Sequence, residues 1–261
     1  MPRPPMSGPA RRGSGLVVWA ALWSGIVGLL FGGVTALTLM LWVTDPRHTQ
    51  TTPVGDLGFF VLGAVIGAGF VSQTVHRAPV GVAQSLLAAL ALAVAGLAGV
   101  RVEPFAGGLV LAAAAGMLWL LRPRPRRLRR GAPASRRLGV LALVAWVGGA
   151  VHAVRALGAA RDAGPSCFLG RCAYGDRLAE MAAVAVAIAA IATLASLRID
   201  GWRLPVWSAG VGAVVVGAVS VAMPVTEGSL GVTGGALAFG WGVLFVAVGE
   251  REWRITRRES R

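Results

Sequence analysis

Eight stretches of this chain run for roughly a bilayer's thickness with almost no charge: 16–43, 57–75, 80–100, 105–121, 138–157, 178–197, 206–223 and 230–248. A membrane-spanning helix needs about 20 mostly apolar residues. Charged residues are only 14% of the 261-residue chain, against about 25% in soluble domains. In lipid, backbone groups must be satisfied within a helix or around a closed barrel. A barrel would alternate apolar and polar residues over strands of about ten. These runs are continuously apolar and rich in Ala, Leu and Val, so the expected fold is an all-α membrane protein of about eight transmembrane helices. The first run is long enough to tilt. The fourth is short, which leaves seven spans as the alternative.

Every basic residue is Arg. With the Ala, Gly and Val load, this reads as the codon bias of a high-GC bacterium. With the N-terminus inside, 19 Arg fall in inner segments and five (Arg47, Arg101, Arg161, Arg171, Arg177) in outer ones, with Arg155 inside the fifth run. That excess satisfies the positive-inside rule. It predicts a multi-pass cell-membrane protein with both termini cytoplasmic. The net charge of +14 then lies on the inner face and does not argue for nucleic acid. The first apolar run is too long for the core of a cleaved signal peptide, so residues 1–15 read as a cytoplasmic N-terminal tail.

A Pro- and Arg-rich stretch, 122–137, reads as a basic cytoplasmic linker between a first half at 16–121 and a second at 138–249. Residues 250–261 read as a C-terminal tail. Arg clusters of this kind suit anionic lipid headgroups, so those headgroups and the bilayer are the expected partners. The halves share a layout. Each has a long outer loop ending in Gly-Asp (Gly55-Asp56 and Gly175-Asp176), an Arg- and Pro-bearing inner turn, and an outer turn carrying Glu103 or Glu227. Two parallel four-helix repeats, related by an axis along the membrane normal, are one reading; shared loop signals without duplication are the other. Gly28/Gly32, Gly63/Gly67 and Gly231/Gly235 have the spacing that lets helices approach closely.

Chemistry-bearing residues are few. Cys167 and Cys172, the only two cysteines, lie in the longest outer loop. In an oxidising compartment a structural disulfide is expected, in preference to a redox dithiol, whose usual motif has two intervening residues. His152 and Arg155 lie one turn apart on the fifth run and share a helical face. Charges inside spans are costly and usually face protein or water, although Arg155 is close enough to the outer end to snorkel. Glu180 is the expected partner of Arg155, and Glu103 and Glu227 would join them around an outward-facing polar site. Asp56 and Asp176 sit where helix N-caps are expected. No catalytic, cofactor or metal motif is visible, and His48, His76 and His152 are dispersed.

The string Asp56-Leu-Gly-Phe-Phe, the Arg101-Val-Glu-Pro turn and Gly164-Pro-Ser-Cys-Phe-Leu-Gly-Arg-Cys resemble features of uncharacterised polytopic membrane proteins of high-GC Gram-positive bacteria. That resemblance implies no activity and carries over no functional residues. The expected function is transport-related or permease-like. A non-catalytic scaffold or complex subunit is the alternative, and an outward-facing enzyme acting on a lipid is a third.

Overall fold

A computed structural model describes residues 12–33, 36, 40, 53–75, 79–121, 133–163 and 173–259. Eight helices are long and apolar enough to cross a membrane, and no strand occurs among the described residues. They are α1 (Arg12–Val27), which runs on into a π-helical turn at Gly28–Gly32; α2 (Pro53–Val75); α3 (Pro79–Ala98); α4 (Val102–Leu120); α5 (Arg136–Asp162); α6 (Ala173–Ser196); α7 (Arg203–Ala222); and α8 (Gly231–Glu259). The protein is therefore an all-α, multi-pass membrane protein.

Two ends differ from expectation. The helix α8 continues to Glu259, well past the end of the last apolar run at 248, so much of the expected tail is helical. The helix α5 starts at Arg136 and runs 27 residues. At 1.5 Å per residue that is about 40 Å, longer than the hydrocarbon core of about 30 Å. Ser135 caps α5: its Oγ accepts from the Leu138 amide at 3.1 Å and donates to Glu252 of α8 at 2.7 Å. A serine there satisfies one of the amides left open at a helix start.

The helices α2, α3, α6 and α7 form the centre, and α1, α4, α5 and α8 the periphery. Within each half, every helix packs on the next. Between halves, α3 meets α6, α2 meets α7, and α2 meets α6. Exchanging the halves maps these principal contacts onto one another, whereas a smaller contact of α4 with α6 has no comparable counterpart between α2 and α8.

Glycine makes close joins within the hairpins. A Cβ at Gly108 of α4 would strike the backbone of Ala93 in α3, and one at Gly217 of α7 would strike Gly235 and Phe239 in α8. Without a hydrophobic drive between helices in lipid, such close approach is what holds them. Of the expected glycine pairs, Gly235 packs on Gly217, and Gly63 lies under Phe31, which stacks on Phe59 at 4.3 Å. Gly28 and Gly32 face open space. Buried polar groups also join the halves: Gln84 Nε2 donates to the Val65 carbonyl at 2.9 Å and to Ser208 Oγ at 2.8 Å.

At the end holding the start of α7 and the last turns of α8, Arg203 grips Glu250 through two bonds of 2.6 and 3.0 Å, and Trp207 donates to the same carboxylate at 2.8 Å. Trp253 lies beneath the guanidiniums of Arg203 and Arg257. This is the end expected to face the cytoplasm.

Candidate functional site

Two polar regions lie at the other end, where α2, α4, α6 and α8 begin. The first is a charge network between the halves. Arg177, in the second turn of α6, donates from Nη1 to Glu180 Oε2 at 2.7 Å, and its Nε lies 3.1 Å from Asp56 Oδ1 on α2. The guanidinium also covers the ring of Phe59 at 4.6 Å. Asp56 and Asp176 are not N-caps: α2 and α6 each start three residues earlier, which puts both acids in the first turn. There they still suit the positive end of the helix dipole.

Arg101, which precedes α4, is 2% exposed. It donates to the Ala160 carbonyl in the last turn of α5, while Arg161 of α5 donates to the Ala98 carbonyl that ends α3 at 2.8 Å. Each arginine thus satisfies a carbonyl left open at the other segment's helix end. The Arg101 guanidinium rests on Gly175, where any Cβ would collide with it. Asp176 is buried within the electrostatic reach of Glu103, Arg101 and Arg177. This network ties α2, α4, α5 and α6 together.

The second region is a cleft of about 1500 Å³ between α5, α6, α7 and α8, larger than the 300–1,000 Å³ of ordinary ligand pockets. The helices α5 and α8 join near one end, where Trp241 Nε1 donates to the Leu141 carbonyl at 3.0 Å, and touch little elsewhere. Trp241, stacked on the fully buried Phe245 at 4.8 Å, forms part of the floor. The walls are apolar, with Val144, Val147 and Leu237 among them. Val147 is 63% and Leu237 70% exposed, so the cleft opens sideways toward lipid. Polar groups gather only toward the opposite end: His152, Arg155, Asp162, Glu227 and Ser229.

Of the residues expected to form one site, the structure brings His152, Arg155 and Glu227 to the cleft. Glu180 goes instead to Arg177. Glu103 stands at the first turn of α4, on the network side. His152 is 8% exposed, and its Nε2 has no hydrogen-bond partner among the described residues. Arg155 is exposed, with no ion pair among them. Arg177 and Arg101 are the residues that sequence reasoning missed as site members, having counted them only as loop charges. Their signal was the nearby acids, Arg177 three residues before Glu180 and Arg101 two before Glu103. Cys167, Cys172, His48, His76 and most of the basic linker lie outside the described residues. No cluster able to hold a metal ion occurs among the described residues.

The fold defines a polytopic helical membrane protein with a lateral cleft in its second half. No family model, curated protein or solved structure matches the chain.

Proposed function

We propose that the protein is transport-related, a permease-like protein whose substrate enters the cleft between α5 and α8. The observation that carries this reading is the cleft itself, which is large, apolar along its walls, polar at one end and open to the side. The two-repeat reading gains support from principal helix contacts that survive exchange of the halves. The orientation that fits the Arg distribution puts the polar end outside and both termini in the cytoplasm of the cell membrane. A disulfide between Cys167 and Cys172 accords with that placement.

A second reading, an enzyme acting on a lipid, draws on His152, a buried imidazole with an unpartnered Nε2 beside a lateral opening.

The test is a thermal-shift screen of purified protein against ions, lipids and metabolites, since a ligand stabilises the state that binds it. Gly148 and Gly240 line the cleft, and a Cβ at either meets open space. Gly148→Leu with Gly240→Leu therefore narrows the cleft without disturbing the backbone. The proposal expects a compound that stabilises the native protein and stabilises the narrowed variant less. Stabilisers acting equally on both would refute it.

A further inference from the structure

The order of groups along the cleft specifies more than an apolar substrate. From Leu141 at the floor to Arg155 is 14 positions of α5, or about 21 Å. That exceeds half of a hydrocarbon core of about 30 Å, so the lower cleft accommodates a long chain. His152 stands above the floor, buried and unpartnered, with Arg155 one turn beyond. Asp162 lies a further seven positions along α5, about 10 Å, and Glu227 belongs to the turn before α8. Both carboxylates are exposed at the rim. The sequence from floor to rim is therefore apolar, then a fixed cation, then two anions.

We propose that the cleft binds a membrane phospholipid with a zwitterionic headgroup: its chain lies against Val144, Val147 and Leu237, its phosphate meets Arg155, and its ammonium group meets Asp162 and Glu227. This rests on the reading of the cleft as the substrate site. The headgroup order is complementary at each level. Phosphate is the inner charge of such a lipid and the amine the outer. A purely anionic headgroup would satisfy Arg155 but leave its outer part against two carboxylates. The lateral opening provides entry from the bilayer, and an apolar molecule entering it leaves lipid for a wall of equal polarity, so the charged end supplies the selectivity.

The experiment is native mass spectrometry of the full chain exchanged into micelles containing phosphatidylethanolamine, phosphatidylglycerol or phosphatidylcholine of matched chains. Phosphoethanolamine and inorganic phosphate serve as chain-free probes. The native protein should retain phosphatidylethanolamine over phosphatidylglycerol and neither chain-free probe. Arg155→Gln should weaken retention of every phospholipid by about tenfold, the scale of one lost charge-assisted hydrogen bond. Asp162→Asn with Glu227→Gln should erase the preference for phosphatidylethanolamine while keeping phosphatidylglycerol bound. If narrowing the cleft at Gly148 and Gly240 weakens retention but Arg155→Gln changes nothing, the headgroup assignment is wrong and the cleft reading stands. If the narrowed variant binds as the native protein does, both fail. Binding of phosphoethanolamine equal to that of the lipid, or a second copy displacing lipid from the cleft, would also overturn the assignment.

Discussion

Arg177 and Glu180 are bonded one turn apart on α6, Nη1 to Oε2 at 2.7 Å, and this bond takes Glu180 away from Arg155. Arg177 also reaches Asp56 on α2, so one guanidinium serves two largely buried carboxylates in different halves. Replacing Arg177 with Ala leaves Glu180 without its ion pair and removes the link to Asp56. The expected loss is about 3–5 kcal/mol, the usual cost of breaking a buried pair. Arg155→Ala should cost no more than about 1 kcal/mol, since an exposed arginine contributes little. Unfolding of the two variants in detergent checks the contrast, and a double-mutant cycle should show strong coupling of Arg177 to Glu180 and additivity for Arg155 with Glu180.

Glycine packing yields a second contrast. Gly217→Ala drives a methyl into the backbone of Gly235 and Phe239, so overpacking should destabilise the α7–α8 hairpin by about 1–3 kcal/mol. Gly148→Ala points into open space and should stabilise by about 0.5–1 kcal/mol through helix propensity alone. Thermal unfolding midpoints moving in opposite directions would bear this out.

Val100 adopts φ = 58° in the turn between α3 and α4. A β-branched residue is strained in this left-handed region, where glycine is at ease. Val100→Gly should therefore stabilise the protein by about 1 kcal/mol, measured in the same assay. A loss of stability would mean that the exposed valine makes contacts outweighing its backbone strain.

Much of the architecture was legible because hydropathy acts locally: each span declares itself within its own 20 residues. The fourth, short in apolar residues, proved to be a helix of 19 residues. The helical extension of α8 was not legible, because the segment past 248 is rich in charge and held by Glu252 with Ser135 and by Arg203 with Glu250, which are tertiary contacts. The partner of Glu180 was hidden for a related reason. Counting arginines for orientation placed Arg177 in a loop, whereas the helix begins at Ala173 and puts it on the same face as Glu180. The cleft could not be read at all. It exists because α5 and α8 join near Leu141 and Trp241 and then part, and no pattern within either helix encodes their separation.

Orientation and the cysteine loop form one further prediction. A cysteine at position 130, on a cysteine-free background, should be labelled by an impermeant reagent only after the membrane is opened. In the native protein kept oxidised, Cys167 and Cys172 should resist alkylation until reduced. External labelling at position 130 would reverse the topology, and two free thiols would reject the disulfide.

The central claim, that a membrane-derived molecule occupies the space between α5 and α8, is tested most directly by photocrosslinking. The protein is reconstituted with a phospholipid carrying a diazirine in its chain, irradiated, digested and mapped by mass spectrometry. Adducts are predicted to concentrate on Val144, Val147 and Val151 of α5 and on Leu237 and Leu244 of α8, and to become fewer there in the Gly148→Leu, Gly240→Leu variant. Adducts spread evenly over the outward faces of α1, α4, α5 and α8, and unchanged when the cleft is narrowed, would contradict the account.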